Sequence, residues 1–133
     1  MAEKLKILIA EDEEVTRQLL QIAFRDGDLF ETKLATNGEE VLVAYKAWHP
    51  DIILVDIMMP QMNGFEVLQT IRQTLHDTTT TVIMVSAVSD KQDIVACAKL
   101  GIDGYVLKPF QVKTLAATVV GCHQKHKKVT KVS

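Results

Sequence analysis

The sequence is poor in several things, and each shortage closes off a class of function. It has two cysteines, Cys97 and Cys122. They give no disulfide framework and no metal-site spacing, and both fall in apolar, helix-like stretches, so they read as buried reduced thiols. No apolar run approaches the ~18 residues of a membrane span. The apolar stretch 5–10 is too short for a signal peptide and runs directly into Glu11, Asp12, Glu13 and Glu14. Neither sign of charge dominates. A formal net charge of −2 gives no global basic surface for nucleic acid, and no acidic tract points to disorder. His49, His76, His123 and His126 lack metal-ligand spacing and are expected on the solvated surface. There is no internal repeat and no linker. A chain of 133 residues can hide roughly two-thirds of its unfolded surface, enough for one real core. These shortages together predict a cytoplasmic single domain with no membrane segment and no direct nucleic-acid partner.

What is present alternates regularly. Short, β-branched, apolar segments occur at KILIA (6–10), TKLAT (32–36), DIILVD (51–56), TVIMVSA (81–87) and GYVLK (104–108). The third and fourth are nearly continuous apolar runs, the pattern of strands covered on both faces in a parallel sheet. Between them lie segments with helical spacing. Residues 13–25 carry Val15, Leu19, Ile22, Ala23 and Phe24; residues 38–48 carry Val41, Ala44, Tyr45 and Trp48. Residues 64–75, 90–99 and 111–126 repeat the pattern. Asn37 with Glu40, Asn63 with Glu66 and Ser89 with Gln92 resemble capping boxes. Gly27, Pro50 and Gly101 are stop signals. Five strands alternating with five helices predict one α/β domain with a parallel sheet and right-handed crossovers. Residues 123–133, with Lys125, Lys127, Lys128 and Lys131, read as a basic, frayed C-terminal tail or the start of a linker.

Ligands of open α/β sheets bind outside the carboxyl ends of the strands. Strand one ends in Glu11 and Asp12, strand three in Asp56, strand four in Ser86, and strand five in Lys108 followed by Pro109. Three carboxylates brought together repel one another and need a cation. All-oxygen ligands favour a hard ion such as magnesium, which keeps waters and accepts phosphate oxygens. A metal-neutralised aspartate can attack a phosphoryl group. Such transfer needs charge neutralisation and positioning above all. Lys108 would add a second positive charge, and Ser86 a hydroxyl donor.

These residues, together with the stretch Asp56-Ile-Met-Met-Pro60-Gln-Met-Asn-Gly64, resemble the response-regulator receiver family over about residues 5–122. Asn63 stands where Asp is usual before Gly64, and Glu11 where many members carry Asp. The resemblance implies a flavodoxin-like, doubly wound sheet of strand order 2-1-3-4-5, with residues 1–122 as the receiver domain. It implies Asp56 as phosphoacceptor and Mg2+, with Mn2+ as a substitute, held by Glu11, Asp12, Asp56 and the Met58 backbone carbonyl. Ser86 and Tyr105 would form the switch, altering the surface of helix four, strand five and helix five. The implied partners are a histidine kinase or histidine phosphotransfer protein upstream, and a protein target or an output domain absent from this chain downstream. A phosphorylation-dependent dimer through the helix four, strand five, helix five surface is also implied.

Each of these residues alone has a blander reading. An acidic pair before a helix usually complements the helix dipole; a lone Asp or Ser at a strand end is usually a cap or turn residue; Tyr105 alone reads as core. Their arrival at one sheet edge in the right order outweighs that. Two other functions fit these residues less well. A phosphohydrolase of the haloacid-dehalogenase kind usually has a second Asp two residues after its nucleophile, where this chain has Met58. A pseudo-receiver typically loses one of the acidic residues or the lysine, and this chain keeps them. The expected role is a signalling phosphoacceptor and not an enzyme. In the family that the chain resembles, the residues two places after the acceptor and after the switch hydroxyl tune water attack; here these are Met58 and Val88, both apolar, with no group to orient a water, which implies slow self-dephosphorylation.

Overall fold

In the computed structural model, residues 3–132 are described, with side chains through Lys127. The strands are β1 (Leu5–Ala10), β2 (Phe30–Ala35), β3 (Ile52–Val55), β4 (Thr81–Ser86) and β5 (Gly104–Leu107). The helices are α1 (Glu14–Ala23), α2 (Gly38–Trp48), α3 (Gly64–Gln69), α4 (Lys91–Leu100) and α5 (Val112–Val132). All four strand pairings are parallel, in the order β2-β1-β3-β4-β5. The expected element order and strand order both hold.

Strand alternation divides the core in two. Leu8, Ala10, Ile53, Val55, Val82 and Met84 face α2, α3 and α4, where they pack on Val41, Val67, Leu68 and Cys97. Ile7, Ile9, Ile52, Leu54, Ile83 and Val85 face α1 and α5, where they meet Leu20, Phe24, Leu115 and Val119. Both faces of β3 and β4 are therefore buried, which is why those segments read as unbroken apolar runs.

Helix ends follow the local chemistry with some substitutions. Asn63 and Glu66 form a reciprocal capping box. At α2, Asn37 accepts from the Glu40 N–H, but the Glu40 carboxylate bonds Thr36 instead. At α4 the cap is Asp90, which accepts from the Gln92 N–H, and not Ser89. Gly101 ends α4 at φ 97°, a left-handed conformation suited to glycine. Residues 70–74 after α3 form a π-helical turn.

Three sequence expectations need correction. On α1 the exposed residues are Val15, Leu19 and Ile22, while Thr16, Leu20 and Phe24 are buried. The segment carries apolar residues on two faces, and only one meets the sheet. The basic tail is not a frayed end over its described part, because α5 continues unbroken past residue 122. His123 and His126 are not solvated. His123 is buried and its Nδ1 is 2.7 Å from Thr81 Oγ1, while His126 Nδ1 lies 2.5 Å from Asp103 Oδ1. Lys128 and Lys131 have side chains outside the described residues.

Candidate phosphoacceptor and metal site

Four strand ends deliver the site. Glu11 follows β1, where its N–H donates to the Ala35 carbonyl. Asp56 follows β3, where its N–H donates to the Ala10 carbonyl. Ser86 ends β4, and Lys108 follows β5 with its N–H on the Ser86 carbonyl. The ladder thus extends just past the strands and fixes each side chain before it leaves the sheet.

The structure brings together five of the expected residues. Lys108 Nζ lies 2.6 Å from Asp56 Oδ2 and 2.6 Å from Glu11 Oε1. Glu11 is 1% and Asp56 4% exposed, whereas Asp12 is exposed. Carboxylate oxygens of Glu11, Asp12 and Asp56 all fall within 4.8 Å of one another. Ser86 is fully buried, and its Oγ accepts the Val88 N–H at 3.1 Å. It therefore braces the loop from β4 to α4. The Tyr105 hydroxyl lies beside Ser86 and donates to the Val88 carbonyl at 2.5 Å. Ser86 and Tyr105 are thus tied to the same residue of the same loop, a connection invisible in the sequence because nothing marks Val88.

The approach to the site is equally fixed. The Met58 N–H donates to Asp56 Oδ1 at 3.0 Å, and the Met58 side chain is 66% exposed. Asp12, Met58 and Asn63 line a shared open cleft of about 500 Å³. Gly64 is required here. A Cβ at that position would sit 2.3 Å from the Asp56 carbonyl oxygen, so any side chain would push α3 off the site.

The charges do not balance. Burial raises the Glu11 carboxyl above its ordinary value, and the Lys108 contact only partly offsets this. Burial would lower Lys108, but its contacts with Asp56 and Glu11 outweigh that and raise it. Two buried carboxylates share one ammonium, with a third carboxylate beside them. Apart from the ion pair, Glu11 Oε1 has no hydrogen-bond donor. A hard divalent cation fits this set: it takes carboxylate oxygens, keeps waters, and would neutralise the excess.

A five-stranded, doubly wound sheet with an acidic C-terminal edge and a strand-five lysine defines the class, and comparisons with known proteins give the family. Residues 7–120 match the model of the response regulator receiver domain. The DNA-binding response regulator MtrA of Mycolicibacterium smegmatis is 35% identical over 114 residues, 86% of this chain and 48% of that protein. The regulatory protein AtoC of Escherichia coli is 38% identical over 110 residues, 83% of this chain and 23% of that protein. The chain spans about half the length of the MtrA relatives it matches. Among solved structures, the receiver domain of Francisella response regulator 1452 aligns with a TM-score of 0.81 at 28% identity, over 92% of this chain and 98% of that one. Chemotaxis response regulator CheY4 of Vibrio cholerae aligns with a TM-score of 0.81 at 26% identity, over 90% of this chain and 99% of that one. The chain belongs to the response regulator receiver domain family of two-component signalling. Among the described residues, no helix is long and apolar enough to cross a membrane.

Proposed function

We propose that this receiver takes a phosphoryl group onto Asp56 from a phosphohistidine of a kinase or phosphotransfer protein. The observation that carries the reading is the pair of buried carboxylates, Glu11 and Asp56, sharing Lys108 beside the exposed Asp12. Glu11, Asp12, Asp56 and the Met58 carbonyl would hold Mg2+, or Mn2+ in its place. The ion would supply charge neutralisation at the phosphoryl oxygens. Asp56 Oδ2 is the nucleophile: a P–O bond forms to it as the donor's P–N bond breaks, and the imidazole leaves with the bond's electron pair and takes a proton. Lys108 gives up its contact with the Asp56 oxygen for a phosphoryl oxygen. Ser86, whose hydroxyl proton is not committed to Val88, donates to another.

That last contact is the switch. Ser86 Oγ holds the Val88 N–H, and Tyr105 holds the Val88 carbonyl. Drawing Ser86 toward the phosphoryl group shifts Val88 and frees Tyr105. The surface of α4, β5 and α5 then changes for a downstream partner, an output domain outside this chain, or a phosphorylation-dependent dimer. This is a population shift driven by new charge-assisted hydrogen bonds. The receiver unit covers residues 1–122, with the basic stretch 123–133 as a tail or the start of a linker, and the setting is cytoplasmic. The domain acts as a phosphoacceptor and not as an enzyme on an external substrate.

Intact mass after incubation with acetyl phosphate, with and without Mg2+, tests this. The wild type should gain one phosphoryl group in a metal-dependent way, and Asp56→Asn should gain none, because an amide is not a nucleophile. An equal adduct on Asp56→Asn would refute the assignment. No adduct on the wild type would make the chain a binding module.

A further inference from the structure

The open edge of the sheet carries a pattern that phosphoryl transfer does not use. β2 is an edge strand, six residues long and free of proline. The carbonyls of Leu29 and Ala35 accept from the N–H groups of Leu5 and Glu11. In a parallel ladder that phase turns Glu31 and Lys33 toward β1 as well. The N–H and C=O groups of Thr32 and Leu34, and the Phe30 C=O, therefore face outward. The Phe30 N–H is already taken by the Asp26 carbonyl.

The side chains along this edge read Phe30, Glu31, Thr32, Lys33, Leu34. That order is self-complementary about Thr32. In an antiparallel pairing of two copies centred there, Thr32 faces its own mate, Glu31 faces Lys33 of the other copy, and Phe30 faces Leu34. The backbone phase agrees with the side chains. Thr32 with Thr32 becomes a doubly hydrogen-bonded pair, and Phe30 with Leu34 makes one bond, from the Leu34 N–H to the Phe30 carbonyl, because the Phe30 N–H is held by Asp26. Glu31 with Lys33 become the non-hydrogen-bonded pairs, whose side chains approach closest. Edge lysines ordinarily deter such pairing. Here each Lys33 is matched by an acid, and its Nζ already lies back over the Trp48 ring, 5.1 Å from the centroid.

Exposure points the same way. Leu34 is 42% and Val43 on α2 is 70% exposed, and both line an open cleft of about 520 Å³ beside the strand, with Ala44 and Ala47. A second copy added at β2 would cover the apolar part of this cleft, whose other lining is Lys33, Asn37, Glu39 and Glu40. We propose that β2 is a homodimer edge, joining two receivers into one continuous sheet through antiparallel β2–β2 contact centred on Thr32. This surface lies at the opposite end of the sheet from β5, so it is independent of the phosphorylation-dependent dimer above.

Sedimentation velocity of the full chain without phosphodonor, up to about 1 mM, tests it; an interface this small predicts weak association. The wild type should show a concentration-dependent dimer. Lys33→Glu should weaken it about tenfold, since two attractive pairs become repulsive. The exchange Glu31→Lys with Lys33→Glu should restore it, because complementarity returns in reverse. Thr32→Pro should abolish it while sparing the β1 ladder, since only an outward N–H is lost. A wild type that stays monomeric throughout, or a dimer unmoved by both Lys33→Glu and Thr32→Pro, overturns the proposal.

Discussion

The two ends of this sheet each bury a cluster of charge, and they are built on opposite principles. At the N-terminal end every carboxylate oxygen has its donor. The Arg72 guanidinium donates to Asp103, to the Asp77 carbonyl and to the Gly101 carbonyl. Asp103 also accepts the Val82 N–H and meets His126. Asp77 accepts from Tyr45, Thr79 and Thr80. At the C-terminal end, Glu11 and Asp56 compete for Lys108 with Asp12 alongside. The first cluster is a lock that ties α2, the loop before β4, the loop before β5, and α5 together. The second is an unbalanced set whose shortfall of positive charge is what a metal ion can make up.

The difference can be broken by removing one charge at each end. Arg72→Met leaves Asp103 short of its guanidinium partner and should lower stability by about 3–5 kcal/mol, read from urea denaturation. Phosphoryl uptake in the mass assay should keep its stoichiometry. Asp56→Asn removes a charge from the crowded end and should do the reverse, raising metal-free stability by about 1 kcal/mol, because it relieves repulsion on the order of 1–3 kcal/mol at the loss of one ion pair. Equal losses from both substitutions would erase the distinction between lock and site.

Acid sharpens the comparison, because the ends respond with opposite signs. The Glu11 carboxyl is raised, chiefly by burial. Its contribution is complete below its unfolded value of 4.5 and falls as pH rises through the folded value. Asp77 behaves the other way. Burial would raise it, but bonds from Thr80, Tyr45 and the Thr79 backbone hold it well below its ordinary value. Its contribution is present above 3.8 and lost as pH falls. The Tyr45 hydroxyl on Asp77 is pushed up to about 12 by burial and by that carboxylate, so it stays a donor throughout. His123 joins the acid-sensitive side. Burial first, then Lys127 and His126, lower its imidazole, while Asp51 and Asp103 pull it up. The unfolded state therefore takes the proton first, and stability that is full above about 6.5 declines below it. Stability measured from about pH 7.5 to about pH 5 should fall for the wild type and fall less for His123→Gln. Identical slopes would remove His123 from the lock.

The two ends also differed in how legible they were. The C-terminal edge could be read because each of its residues directly follows an apolar strand, so a local pattern fixed its place. The N-terminal lock could not. His126 and Asp103 are 23 residues apart and Thr81 and His123 are 42 apart, and no spacing rule links them. The π-turn that carries Arg72 has no marker in 70–74. On α1 the opposite difficulty arose: Val15, Leu19 and Ile22 made as good a stripe as Leu20, Ala23 and Phe24. Choosing between them needed the sheet. The role of Val88 was hidden because it acts only through its backbone.

The smallest effect lies within the unbalanced end itself. Met58 holds Asp56 Oδ1 through its N–H, a contact that any residue could make, while its side chain projects into solvent over the cleft. It brings no donor or acceptor to the point from which water would attack an aspartyl phosphate. Asn at this position would keep the backbone contact and add an amide able to orient that water. One such hydrogen bond is worth about 1 kcal/mol, or about fivefold in rate. Phosphoryl lifetime, followed by mass after the phosphodonor is removed, should therefore shorten about fivefold in Met58→Asn. An unchanged lifetime would mean that water reaches the phosphoryl group by another path. Persistence of the phosphorylated state would then be set by the Lys108 and Ser86 contacts and not by the side chain at position 58.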